Sequence, residues 1–391
     1  MTLFKTILIV VMCGMCTSCA TPRGEPGALE DIKPGERPEL HTDEAGLWMV
    51  FDNMEEKLKT SGRRITEPQV NHYIQNIVCK LAGPQCSDIR IYIMQVPDFN
   101  ANMASNGMMQ VWTGLILRAQ NEAQLAYVLG HEIGHYLRRH SLQAWRDARM
   151  KSNVAVAFQI ATAAAGVGFV GPLGQLALIG SIQAFSRDNE READEVGFEL
   201  ITQAGYDPRE APRIWESLMK EHAASEKEAP SIFFATHPPT EERIATLTAK
   251  AQEVTSRGGN FFVGKDELEA VVLPLRASLL RDELRRGKFK ETQVLLDKLM
   301  KDERGLGQLH FFQGELYRLR AEPEDWEKAV AAYQKALEFP DAPPETHRAL
   351  GLYFLKAGEN SKARVALERY LDLQPDADDQ AMIREYVRQM E

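Results

Sequence analysis

Apolar positions recur at helical spacing through most of this chain, and only two short stretches alternate as strands do. Residues 47–51 open an amphipathic helix that breaks at Gly62. Thr66 is placed to cap a second helix reaching Leu81, with Gln69 at the reciprocal position and Val70, Tyr73, Ile74, Ile77 and Leu81 on one face. Residues 89–96 alternate and predict a strand ended by Pro97, and 109–113 predict another. The stretch 100–107 between them is polar and punctuated by glycine. A helix follows over 121–137: Asn121 caps its first turn with Gln124 three residues on, and Leu125, Leu129, Ile133 and Leu137 form its buried stripe. Two apolar segments within 154–185 are split by Gly166, Gly168, Gly171, Pro172 and Gly174. Each is too short to cross a bilayer, so a buried helical hairpin over the neighbouring site is expected in preference to a membrane-touching one. Another helix opens at 185–194.

After Arg257-Gly258-Gly259 the pattern becomes one of charged amphipathic helices. Gly287-Lys288-Phe289 and Gly358-Glu359-Asn360 fall at matching points 71 residues apart, which is two tetratricopeptide periods of about 34 plus three. Glu322-Pro323-Glu324 can hold the extra residues. Gly314, Tyr317, Ala329, Tyr333 and Ala336, then Gly351, Phe354, Ala363, Leu367 and Pro375, take the small and aromatic positions of such repeats. An array of this kind offers a concave surface for proteins.

The first residues change the compartment. Lys5 precedes an apolar run over 6–15, then Cys16-Thr17-Ser18-Cys19, so 1–18 resemble a lipoprotein signal with Cys19 as the lipidated residue. Residues 19–40, rich in Pro and Gly, read as a linker from a membrane. In an exported chain Cys79 and Cys86, flanking Gly83-Pro84, predict a disulfide. The formal charge of −10, with no basic cluster, argues against nucleic acid as a partner.

Candidate chemistry centres on His131-Glu132-Ile133-Gly134-His135. On a helix the two histidines stand one turn apart and can reach one ion, while Glu132 stands where a base can take a proton from water. Gly130 and Gly134 each cost about 1 kcal/mol against alanine there, which implies close packing. Glu190 and Asp194 share a face downstream: one can complete a two-His, one-carboxylate set and the other can hold a ligand histidine. Helical geometry leaves Glu192 and Glu195 open as rival carboxylates. A third histidine at the metzincin spacing is absent, since Ser141 stands there and His140 is one position off. His237, in a Pro-rich turn, is a candidate latch over the metal or an oxyanion group, and Arg243 a weaker candidate for stabilising negative charge. The strand beside this site is a candidate edge for an extended peptide.

These motifs, with Asn100-Ala101, Thr113-Gly114-Leu115 and Thr236-His237-Pro238-Pro239, resemble the zinc metallopeptidase family of HtpX, Oma-type and CAAX prenyl proteases. Among its members the chain is most similar to the periplasmic BepA-like group. The resemblance implies one Zn2+ per chain held by His131, His135 and Glu190, with Glu132 as base and Asp194 in support. It also implies a mainly α, gluzincin-like domain with a small β-sheet over 41–257, and a tetratricopeptide-like α-solenoid over 258–391. The expected protein is a periplasmic zinc endopeptidase, lipid-anchored to the outer membrane of a Gram-negative bacterium. Its substrates would be misfolded or misassembled envelope proteins, and its repeats would engage substrate or the outer-membrane assembly machinery. The rival expectation is a lipid-anchored scaffold or chaperone with a latched or inactive site.

Overall fold

The computed structural model describes residues 29–150, 185–225, 232–238 and 240–390. The expected signal segment 1–18, Cys19 and the expected apolar pair, apart from Phe185, lie outside the described residues. Helix α1 (Asp43–Lys59) starts at Thr42, whose hydroxyl accepts from Ala45 N, and two acidic residues occupy its first turn. Helix α2 (Pro68–Ala82) does not use Thr66 as cap: Pro68 occupies the first turn and Glu67 precedes it. The fixed φ of proline suits that position and moves the start past Thr66. Cys79 and Cys86 are joined by a disulfide, with Cα atoms 4.7 Å apart.

Strands β1 (Arg90–Met94), β2 (Ala101–Met103) and β3 (Met108–Trp112) form one sheet in the order β1-β3-β2. β1 runs parallel to β3 with Arg90 opposite Met108, and β2 runs antiparallel to β3 with Ala101 opposite Val111. The two expected strands are therefore parallel neighbours. The polar stretch between them supplies β2 as an edge.

Helix α3 (Thr113–Arg118) separates β3 from α4 (Glu122–Leu137). Every residue of α4 from Glu122 to Tyr136 is buried, so α4 is a central helix with no solvent face. Helices α5 (His140–Met150), α6 (Arg187–Gln203), α7 (Glu210–Ala223), α8 (Ile232–Thr236) and α9 (Glu241–Ser256) follow. The glycines of α4 meet α6 backbone to backbone: a Cβ on Gly134 would stand 3.0 Å from the Ala193 carbonyl oxygen, and one on Gly130 3.3 Å from that of Gly197. Close packing is what these residues provide.

The expected linker is folded at its far end. Ile32 is buried in the main core and its N–H donates to the Leu137 carbonyl, while Gly35 N donates to Asp88.

Helix α10 (Lys265–Arg285) places Leu268 and Val271 in the same core as α4, so packing continues across residue 257. Arg118, buried on α3, pairs with Glu221 of α7 at 2.6 Å and Glu283 of α10 at 2.9 Å. Breaking such a buried set by removing one partner costs about 3–5 kcal/mol, which locks α10 to the preceding helices. Helices α11 (Phe289–Met300), α12 (Leu306–Arg320), α13 (Asp325–Ala336), α14 (Glu345–Lys356), α15 (Asn360–Leu373) and α16 (Gln380–Gln389) follow. In the α12–α13 pair Gly314 receives the Tyr333 ring, and in the α14–α15 pair Gly351 receives Leu367. Among the described residues no helix is long and apolar enough to cross a membrane.

Candidate metal centre

Asn121 caps α4 as expected, its side chain accepting from Gln124 N at 2.9 Å. The Gln124 side chain accepts from Gln120 N, one residue earlier than a reciprocal cap would require. His131, Glu132 and His135 are thereby set on a rigid helix and are all fully buried.

His131, His135, Glu190 and His237 converge, and one donor atom from each lies within 4.8 Å of the others. His131 Nε2 stands 3.1 Å from His135 Nε2, 3.4 Å from His237 Nδ1 and 3.6 Å from Glu190 Oε2. Glu190 Oε1 stands 3.4 Å from His135 Nε2 and 3.0 Å from His237 Nδ1. Four donors around a zinc ion with bonds of about 2.0–2.1 Å would be separated by roughly 3.3 Å. The group fits such an ion, and it is a closed set of four in which His237 takes the position beyond the expected three.

Supporting contacts fix each donor. Asp194 Oδ1 lies 3.0 Å from His131 Nδ1, and it also accepts from the Tyr127 hydroxyl at 2.7 Å. Arg243 donates to Asp194 at 2.6 and 2.7 Å, approaches Glu190 Oε2 at 2.7 Å, and donates to the Pro238 carbonyl. Its guanidinium holds both carboxylates. Burial raises the pKa of Asp194, but the Arg243 and His131 hydrogen bonds outweigh it and bring it to about 2. Burial lowers that of His131, while Asp194 and Glu190 pull it up to about 9. Burial raises the pKa of Glu190, but His237, His131 and His135 hold it well below the ordinary carboxylate range. Burial pushes the pKa of Glu132 upward, although the neighbouring His237 and His131 oppose it.

The structure separates the rival carboxylates. Glu195 pairs with Lys250 at the surface, and Glu192 pairs with Arg138 and His140. Neither enters the donor group. Two features had no counterpart in the sequence pattern. His140 lies 2.8 Å from the far nitrogen of His135. Phe185 stacks on His135 at 4.0 Å and Phe233 on His237 at 4.8 Å, walling the donors with aromatic rings. The ring of His237 also turns Nε2 toward Glu132, 3.7 Å from Oε1.

Residues 64–251 match Peptidase family M48. A beta-barrel assembly-enhancing protease of Escherichia coli (strain K12) is 26% identical over 224 residues, 54% of this chain and 45% of its own length. A Vibrio cholerae protein provisionally given the same name is 27% identical over 263 residues, 64% of this chain and 52% of its own. The mitochondrial metalloendopeptidase OMA1 of Schizosaccharomyces pombe is 32% identical over 180 residues, 45% of this chain and 51% of its own. The chain spans about half the length of the curated relatives it matches.

Proposed function

From residues 64–251 as an M48 metallopeptidase domain, we propose that the protein is a zinc endopeptidase of the bacterial cell envelope that cuts misfolded or misassembled envelope proteins. The observation that carries the reading is the buried, convergent donor group, two of whose members stand on the helix that also bears Glu132. His131, His135 and Glu190 are the ligands, and Asp194 holds His131 so that Nε2 faces the ion. Zinc, when bound, supplies Lewis acidity toward a carbonyl oxygen and lowers the pKa of water. Glu132 takes the proton of the attacking water and returns it to the leaving amine. Edge strand β2, whose Met103 backbone interacts with Glu132, is placed to align an extended peptide beside the base.

His237 is the latch in this reading. Its Nδ1 completes the donor set while its Nε2 faces the base, so both the open position and Glu132 are covered by one ring. The C-terminal helix pairs, read as tetratricopeptide-like repeats, recruit substrate or a partner such as outer-membrane assembly machinery. Cys19 is the lipid anchor. The names of the bacterial relatives support the envelope assignment.

The closed donor set also favours a second reading, a lipid-anchored scaffold whose metal site never opens. His237→Ala decides between them. In the latched enzyme this change leaves zinc in place and raises cleavage of an unfolded protein about tenfold or more. A zinc-loaded His237→Ala protein that still cuts nothing would favour the scaffold.

A further inference from the structure

His135 uses both ring nitrogens, and both are buried. Nε2 lies in the donor group, and Nδ1 lies 2.8 Å from Nδ1 of His140. His140 is itself fully buried, and its Nε2 lies 3.1 Å from Glu192 Oε2. A neutral imidazole carries one proton, so the three groups can be satisfied in only one order. The carboxylate accepts from His140 Nε2–H. His140 Nδ1 is then a bare acceptor and takes the His135 Nδ1–H. His135 Nε2 is left with a free lone pair. The opposite order would set the bare Nε2 of His140 against a carboxylate and put a proton among the donor atoms.

We propose that His140 is a positioning residue: it accepts the Nδ1 proton of His135, is oriented by Glu192, and so presents the Nε2 lone pair of His135 to the metal. The inference rests on the reading of His135 as a ligand. The two ligand histidines are then held differently. His131 faces the Asp194 carboxylate directly at 3.0 Å, whereas His135 reaches a carboxylate through a second ring.

The backbone explains why a residue five positions on can do this. α4 ends at Leu137 and α5 begins at His140, with Arg139 between them in the left-handed region at φ 54°. That turn brings the His140 ring against His135 of the last turn of α4. Arg139 is fixed there by Glu44 at 2.9 Å and by Glu36. Phe185 stacks on His135 and flanks His140 at 6.0 Å, which keeps water from replacing the relay.

The test is zinc affinity in the full chain, by competition with a chromogenic chelator, alongside the melting temperature of the metal-free protein. His140→Leu removes the acceptor, and affinity should fall about 10- to 100-fold. His140→Asn can accept from His135 and donate to Glu192, and should recover most of the loss. Glu192→Leu should cost less than His140→Leu, because the Glu192 side chain is 45% exposed and water can take its place. A merely structural His140 would lower the metal-free melting temperature without separating Leu from Asn in zinc affinity. Wild-type affinity in His140→Leu, or equal loss in Leu and Asn, overturns the inference. A wild type that takes up no zinc overturns the ligand reading, and the inference with it.

Discussion

Gly197→Ala tests whether packing of α6 on α4 sets the donor geometry. A Cβ at Gly197 would stand 2.8 Å from His131 N, 3.0 Å from His131 Cα and 3.1 Å from Gly130 C. All three are backbone atoms of a buried helix, so no side chain can swing aside. Ordinary contact begins at 3.4 Å, so the helices must part by about 0.6 Å at that point. Alanine regains about 1 kcal/mol of helix propensity, and overpacking costs about 1–3 kcal/mol. The net loss is between about 0 and 2 kcal/mol, a fall of a few degrees in Tm. The site is less forgiving, because metal–ligand distances tolerate only about 0.2 Å. Glu190 and Asp194 ride on α6 while His131 and His135 ride on α4, so the displacement acts across the donor group. Zinc affinity, read by chelator competition, should fall about tenfold or more while the metal-free protein still melts cooperatively. Unchanged zinc affinity in a folded Gly197→Ala protein would refute the reasoning.

Two further predictions concern the C-terminal helices. Lys298 on α11 is partly buried and donates to the Arg118 carbonyl at 2.9 Å and to Ser217 at 3.0 Å, and desolvation of its amine lowers its pKa to about 8. Between pH 8 and 10.5 the unfolded chain holds a proton that the folded chain has lost, so this group's contribution to stability rises with pH through that window. Below pH 8 its penalty, about 3 kcal/mol, is complete. Two hydrogen bonds of about 1 kcal/mol each offset part of it, so Lys298→Met should be about 1 kcal/mol more stable than wild type at pH 7 and less stable at pH 10.5. Urea melts at the two pH values check the crossing. Gly314→Ala would set a Cβ 2.4 Å from the Tyr333 ring, which is buried and hydrogen-bonded to Glu315. It should cost about 1–3 kcal/mol in a urea melt and leave zinc affinity unchanged.

The parts of the site that were legible in the sequence are those that depend on a single helix. The spacing of His131, Glu132 and His135 and the Asn121 cap follow from helical geometry alone, and the propensity cost of Gly130 and Gly134 pointed to close packing without naming α6 as the partner. The choice of Glu190 over Glu192 and Glu195 needed the rotation of α6 about its axis, which periodicity does not fix to within one residue. His140 was legible only as a residue off the metzincin spacing. Its role comes from a left-handed Arg139 that carries no glycine or asparagine to announce it. Strand β2 is three fully buried residues, too short to show alternation, and it forms because β3 offers it an edge. Ile32 likewise docks through a long-range contact that no local pattern marks. Arg243 was a weaker candidate for stabilising negative charge, and its contacts with Asp194 and Glu190 needed the packing of two helices to become visible.

Zinc-dependent peptide hydrolysis with Glu132 as base is tested by cleavage of an unfolded protein by wild type and by Glu132→Gln, both at verified equal zinc content. Each should hold about one zinc per chain, wild type should cut and His237→Ala should cut faster, and Glu132→Gln should lose at least about a hundredfold. Equal cleavage by wild type and Glu132→Gln, at full zinc occupancy, would contradict that role of Glu132.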